Sequence, residues 1–359
     1  PQCLDSLLEQ EFNNWEAIVI NDGSPDNTNE VVQKYITKDS RFRLVEKING
    51  GLSSARNFGI ANAFGNRFIF LDADDFLYPN CLGRIAKTVQ DSDENTLIQY
   101  GYTYIKEDGK EVLSHANAQK KASLIPDIFK ENLGPCHSIC ISHSLVFAAG
   151  SFDESLKSVE DWDFWMRAVK AGGTQKIISD RLVYYRYAKN SMSRDGFVMF
   201  DALKKVIERG LKKDTRITIE SDLNKDYSFN SDNIIQQVLL RSLGVSVMQG
   251  KIDESIHFLK KNSPIPLEEY KVSDYEYMCS YLSFRYWYSL SDIKEVFEFI
   301  YPNFKLFFNH LGYKKSKTKK ALYHVFKRHF FYQNIFSYGK FIGSIINFIT
   351  RNYNEKLLP

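Results

Sequence analysis

Cysteine is scarce in this sequence of 359 residues, and the few present form no pattern. Cys3, Cys81, Cys136, Cys140 and Cys279 stand well apart, except for one CxxxC pair. That pair lacks the second half a zinc site needs, so the five read as reduced core thiols. An excess of charge of one sign is also missing. The net charge of +3 argues against a nucleic-acid partner for the chain as a whole, although basic residues gather toward the C-terminus. No charged, apolar, small-residue sequence of the secretory kind opens the chain, which makes the cytoplasm the expected compartment. Near the C-terminus the apolar stretches are interrupted by Lys340, which excludes a spanning helix there. Neither the P-loop nor the dinucleotide fingerprint occurs, and no Ser/His/Asp or Cys/His arrangement stands out.

What is present is 43% hydrophobic and 25% charged, enough for one large core and a smaller second domain. Glu16 to Ile20 (EAIVI) is short, apolar and β-branched and ends in Asn-Asp-Gly-Ser-Pro, a strand and turn. A helix is expected from Thr28 to Ile36, a strand at Phe42 to Glu46, a helix from about Ser53 to Phe64, and the strand RFIFL at Arg67 to Leu71. Strands alternating with helices predict a mostly parallel α/β sheet, with a more antiparallel region after the helix near Asn80 to Gln90, around LIQYGYTYI and the turn at Asp108 to Lys110. The sheet as a whole is then mixed. Ligands of such sheets sit outside the carboxyl ends of the strands, so the turns after residues 20, 46 and 71 should line one crevice. From about Phe200 the texture becomes helical, and Tyr313 to Arg351 combines the run KKSKTKK with aromatic and apolar stretches. The expected organisation is 1–200, 201–312 and 313–359. The chain opens Pro1-Gln2-Cys3-Leu4 straight into an amphipathic helix pattern with no Met and no strand ahead of it, and it reads as trimmed there.

Four motifs carry candidate chemistry. Leu71-Asp72-Ala73-Asp74-Asp75 follows a strand, and alternation along an extended chain would send Asp72 and Asp74 to the same side. Two carboxylates with few nitrogen or sulfur partners suit Mg²⁺ or Mn²⁺, while an acidic turn capping the next helix is the plain alternative. Asp22, in Asn21-Asp22-Gly23-Ser24, either accepts hydrogen bonds from a base or ribose or simply closes an Asp-Gly turn. Asn49-Gly50-Gly51-Leu52-Ser53-Ser54-Ala55-Arg56-Asn57 puts glycines and a helix N-terminus after a strand, with Arg56 one turn in, a geometry that suits phosphate. Val159-Glu160-Asp161-Trp162-Asp163-Phe164-Trp165 sets three carboxylates at a helix start. They either complement the helix dipole or supply a partly desolvated general base, and the two Trp are core or a stacking wall for a sugar.

Taken in order, NDGSPD, NGGLSSARNFG, FLDADDFL, GSFDESLKSVEDWDFWMRA and YRYAKNSMS resemble the family 2 glycosyltransferases of the GT-A fold over about residues 1 to 195. The resemblance implies a GT-A type, Rossmann-like mixed sheet flanked by helices, followed by a mainly helical C-terminal region. It implies that Asp22 contacts the nucleotide base, that Arg56 and Asn57 lie near the nucleotide, that Asp72 faces the ribose, and that Asp74 ligates the metal with Asp72 and Asp75 in support. Asp161 becomes the catalytic base, with Glu160 beside it. Relatives carry a His after the YR motif that Tyr187-Ala188-Lys189-Asn190 lacks, leaving Lys189 or Arg194 to neutralise the diphosphate. In relatives a strand before residue 1 supplies part of the uracil pocket.

The implied activity is inverting transfer of a hexose or N-acetylhexosamine from a UDP-sugar to a glycan or lipid-linked acceptor of bacterial surface polysaccharide synthesis. The QxxRW motif of processive synthases is missing from Ser283-Phe284-Arg285-Tyr286-Trp287, so addition of single sugars is expected. The alternative is a non-catalytic nucleotide-sugar-binding or docking module. The basic, aromatic C-terminus either meets the inner face of the cell membrane peripherally or packs on its own domain or on a second subunit, a homo-oligomer.

Overall fold

In a computed structural model, the described residues are 1–187, 195–279 and 296–327. The chain divides into two compact units, one made of Pro1–Lys189 with Lys205–Phe229 and the other of Asn190–Lys204 with Asn230–Pro359. The first unit thus takes in residues beyond the expected division at 200.

The first unit opens with α1 (Gln2–Leu8), then β1 (Ala17–Asn21), α2 (Thr28–Lys38), β2 (Phe42–Glu46) and α3 (Leu52–Asn62). β1 and β2 pair in parallel, from Ala17 opposite Phe42 to Asn21 opposite Glu46, and α2 forms the crossover. Leu4, Val32, Tyr35 and Phe42 bury the seam where α1 and α2 meet this pair.

A second, six-stranded sheet follows. Its strands are β3 (Arg67–Ile69), β4 (Phe76–Leu77), β5 (Thr96–Ile105), β6 (Val112–Ala116), β7 (Ile139–Ser142) and β8 (Thr174–Arg186), in the order β3-β7-β5-β8-β4 with β6 on β5. Only β5 and β8 run parallel; β3·β7, β5·β7, β4·β8 and β5·β6 are antiparallel. The larger sheet is mixed, as expected, and the parallel pairing expected from the early alternation is found at β1·β2 and β5·β8. Past α3, strands return by turns and long loops as well as by helices, and a strand that returns without a crossover runs antiparallel to its neighbour. The turn at Asp108–Lys110 closes such a hairpin, with the Gly109 N–H donating to the Lys106 carbonyl. Leu77, Cys81, Ile98, Tyr100, Cys140 and Leu182 form the core against α4 (Cys81–Gln90).

Beyond α5 (Leu124–Asp127) and α6 (His143–Ala149) lies α7 (Glu160–Lys170), whose residues are buried on nearly every face. Its buried charges are all partnered, as a low-dielectric setting demands. Asp163 accepts from Arg167 at 3.0 Å and from Arg216 at 2.9 Å, and Arg216 also holds Asp153 and Asp214. Lys170 donates to the carbonyl of Gly210 at 3.0 Å. These contacts tie 205–229 to α7 and explain why that stretch belongs to the first unit.

The described part of the second unit is helical, with residues 196–204 of α8 (Gly196–Gly210), then α9 (Asp232–Met248), α10 (Ile252–Asn262), α11 (Tyr301–His310) and a helix over 315–327. α9 is buried along most of its length because neighbours enclose it; a Cβ at Gly244 would meet the Met278 carbonyl at 2.2 Å. No helix among the described residues is long and apolar enough to cross a membrane. Of the expected C-terminal segment only 313–327 is described, and Ser283–Trp287 lies outside the described residues.

Candidate functional site

Turns at the ends of β1 and β2 meet at Asp22. Its Oδ1 accepts from Lys47 Nζ at 2.6 Å and from the Gly50 N–H at 2.9 Å, and its Oδ2 accepts from the Gly51 N–H at 2.8 Å. Burial pulls the Asp22 carboxyl upward, but Lys47 and the two backbone donors outweigh it and hold the group below its usual range. Gly51 caps α3 with a φ of 86°, a left-handed conformation glycine adopts without steric cost. Both oxygens of Asp22 thus brace the loop that leads into α3.

One turn into α3, Arg56 reaches away from that loop. Its guanidinium donates to Glu160 Oε1 at 2.6 Å and to Asp72 Oδ1 at 3.0 Å, joining the start of α7 to the turn after β3. Burial opposes the charge on Arg56, yet Cys136, Asp72, Glu160 and Asp161 around it hold it protonated more firmly than usual. Asn57, its neighbour, faces a different segment: its amide donates to the Phe152 carbonyl and to Glu154 and accepts from the Phe152 N–H.

The acidic turn departs from the extended geometry assumed above. β3 stops at Ile69, and residues 72–75 form a turn closed by the Asp75 N–H on the Asp72 carbonyl at 3.0 Å. Alternation therefore does not govern this stretch. Asp72 and Asp75 converge with His137 so that one ligand atom of each lies within 4.8 Å of the others, while Asp74 lies outside that cluster. Burial and then the charges of Asp75 and Asp72 push the Asp74 carboxyl above its usual range. Arg186, at the end of β8, pins the turn by donating its N–H to Asp75 at 2.7 Å and its Nε to the Asp74 carbonyl at 2.8 Å. The donor set fits a divalent cation: two carboxylates and an imidazole converge, with the buried His137 Nδ1 lying 2.7 Å from Asp75 Oδ2.

Glu160 and Asp161 begin α7 behind Val159, whose φ of 55° is strained for a β-branched residue. Asp161 Oδ1 accepts from the Trp162 N–H at 2.7 Å, and Asn132 donates to the same carboxylate. Burial, followed by the charge of Glu160, raises the Asp161 carboxyl well above its usual range, against the pull of Arg56 and of these two donors. The indoles of Trp162 and Trp165 are buried and donate to the carbonyls of Ile128 and Gly134. They are core residues that fix the 128–134 loop, which settles the choice between packing and a sugar-stacking wall.

Arg56, Asp72, Asp75, Glu160 and Asp161 thus form one connected cluster, Asp22 braces the loop that leads into α3, Asn57 is engaged elsewhere, and Asp74 lies outside the cluster. Lys47, Asn132 and His137 escaped the sequence reading. Lys47 follows β2 directly and was open to notice; His137, remote in sequence within CHSIC, carries no local signal. Lys189 and Arg194 lie outside the described residues.

Residues 1–148 match the family model described as Glycosyl transferase family 2. The uncharacterized glycosyltransferase EpsJ of Bacillus subtilis is 29% identical over 205 residues, covering 54% of this chain and 58% of that protein. An uncharacterized glycosyltransferase of Rickettsia felis is 33% identical over 179 residues, 47% of this chain and 29% of its own length. The matches therefore span less than two thirds of either relative. Among solved structures, S. aureus TarS 1-349, crystallised in complex with UDP, aligns with a TM-score of 0.50 at 20% identity, covering 91% of this chain and 86% of that one. This likeness bears on the fold alone, which is of the GT-A type, while the match to glycosyl transferase family 2 is confined to residues 1–148 of the 359.

Proposed function

We propose that the protein transfers a hexose or N-acetylhexosamine from a UDP-sugar to a hydroxyl of a glycan or lipid-linked acceptor in bacterial surface polysaccharide synthesis, with inversion at the anomeric carbon. The observation that carries this is Arg56, one side chain joined both to Asp72 of the acidic turn and to Glu160 beside Asp161. A donor at the turn and an acceptor at the start of α7 would then share one electrostatic frame.

In this account Asp161 Oδ takes the proton of the acceptor hydroxyl as that oxygen attacks the anomeric carbon. Its raised proton affinity suits a general base working near neutral pH. Glu160 holds Arg56 and positions the acceptor, and Arg56 faces the charge that develops on the leaving diphosphate. Asp22 and Lys47 shape the loop against which the base of the nucleotide rests, and Asp72 faces the ribose. A Mg²⁺ or Mn²⁺ ion at Asp72 and Asp75, with Asp74 at the rim, would supply further positive charge for the diphosphate. The UDP found with TarS supports the choice of nucleotide.

The proposed place of action is the cytoplasm at the inner face of the membrane. The run Lys314–Lys320 offers a basic surface for anionic lipid. Co-sedimentation with anionic vesicles, with and without residues 313–359, tests this, and equal pelleting removes it. For the activity, UDP release is measured across a panel of nucleotide sugars with Mn²⁺ or Mg²⁺. Release with one donor, lost in Asp161→Asn, supports transfer; tight UDP binding with no turnover on any donor and acceptor supports a binding module instead.

A further inference from the structure

With the indoles of Trp162 and Trp165 engaged in the core, the aromatic surface beside Asp161 comes from three tyrosines. Tyr102 and Tyr104 stand two residues apart on β5 and share a face, and Tyr104 lies opposite Tyr185 of β8. The three rings touch pairwise. Tyr102 meets Tyr104 at 5.1 Å and Tyr185 at 5.8 Å, both edge to face, and Tyr104 stacks on Tyr185 at 5.0 Å. All three are half-buried.

This cluster joins the two halves of the proposed reaction. Tyr185 meets the His137 ring edge-on at 4.5 Å, and His137 Nδ1 lies 2.7 Å from Asp75 of the acidic turn. Burial raises the Tyr185 phenol well above its usual range, and the charges of Asp75, Asp72 and Asp161 add to it. Burial raises Tyr102 as well, with Asp161 adding to it against the pull of Tyr104. Both phenols therefore stay neutral beside Asp161, able to donate and to accept.

The cations nearby are already engaged. Arg56 holds Glu160 and Asp72, and the Arg186 guanidinium donates to the carbonyls of Asp74 and Glu107 and to Gln2. An anionic acceptor would meet the carboxylates of Asp72, Asp75, Glu160 and Asp161 with neither arginine free to offset them. A neutral pyranose suits the place better. Its apolar C–H face packs on a ring, and its hydroxyls meet phenol and carboxylate oxygens. Because Tyr102, Tyr104 and His137 already hold the Tyr185 ring, a sugar that packs on it orders little that is not ordered beforehand.

We propose that Tyr185, with Tyr102 beside it, forms the wall on which the acceptor packs, and that the acceptor is a neutral pyranose that turns one hydroxyl toward Asp161. The inference rests on the proposed function and narrows it: the group that receives the sugar is itself a sugar ring, and Tyr185 selects for it. Tyr104 acts behind Tyr185 as a positioning residue.

The test measures UDP release by the full chain with Mn²⁺ and the donor it turns over. The added acceptors are methyl hexopyranosides and methyl N-acetylhexosaminides, with glycerol 3-phosphate as the anionic comparison. At least one pyranoside should stimulate release and glycerol 3-phosphate should not. Tyr185→Leu should raise KM for that pyranoside about tenfold or more, with a smaller change in kcat and UDP affinity held within about twofold. Tyr185→Phe keeps the ring and should recover most of the loss. If Tyr185→Leu fails to fold, Tyr102→Leu takes its place, with an expected rise in the same KM of about threefold or more. Stimulation by no pyranoside would overturn the inference, as would a pyranoside KM that does not move in the Leu variants. Either result, beside UDP release that is lost in Asp161→Asn, leaves the proposed function standing. A chain that neither binds UDP nor turns over any donor sinks both together.

Discussion

Arg56 donates to Glu160 Oε1 at 2.6 Å across 104 positions of sequence, and its other nitrogen reaches Asp72 at 3.0 Å. The guanidinium fork can do this because its donors diverge in one plane, which a lysine ammonium does not reproduce. Arg56→Met should therefore cost about 3 kcal/mol or more of stability, since it strands the nearly buried Glu160 carboxylate. Urea denaturation measures the loss. Arg56→Lys should fold better yet lower UDP release at least as much, because one ammonium cannot serve both carboxylates.

At Asp22 the prediction concerns affinity. Asp22→Ala removes the acceptor for three donors and frees the loop at Gly50 and Gly51. With about 0.5–1.5 kcal/mol net for each hydrogen bond, UDP affinity should fall tenfold or more by calorimetry. Asp22→Asn keeps one carbonyl oxygen and should lose less.

The pH dependence has a definite sign. Asp161 is raised above its ordinary value, so kcat/KM should fall with acidification through a limb well above pH 3.8, as the base becomes protonated. Glu160 is among the causes of the rise, so Glu160→Gln should move that limb to lower pH. Asn132 acts in the opposite direction, and Asn132→Ala should move it to higher pH. A limb that stays fixed in both variants would assign the proton to another group.

Stability of α7 should depend on the stretch that follows α8. Arg216 donates to both oxygens of the buried Asp163, and Arg167 supplies the remaining support. Arg216→Met should cost about 1–3 kcal/mol in a urea titration, since Asp163 loses charge-assisted partners while keeping Arg167. UDP affinity should change much less than stability, because Arg216 bonds to Asp153, Asp163 and Asp214 and not to the acidic turn or to Asp22.

Much of this architecture was legible because the patterns are local. β2 falls on Phe42–Glu46 as the apolar run indicated, and α7 on Glu160–Lys170. The convergence of Asp22 with the loop after β2, and of Arg56 with Asp72, follows from the rule that strand ends gather ligands. Strand direction was less legible, because pairing in the larger sheet depends on returns such as β5 to β6 and β3 to β7 that periodicity does not encode. The turn at 72–75 defeated the alternation argument, since one backbone hydrogen bond swaps Asp75 for Asp74 at the cluster. His137 could not be read at all: its meaning comes from the residues the fold brings to it.

The central claim is that Asp161 performs the proton transfer at a donor site built around Arg56 and Asp72. Its most direct test is UDP release by the wild-type protein and by Asp161→Asn, with UDP affinity measured on both. The expected result is metal-dependent release in the wild type, a loss of at least about 100-fold in kcat for the variant, and UDP affinity unchanged within about twofold. Release by Asp161→Asn at the wild-type rate, with the same donor and acceptor, would contradict the account.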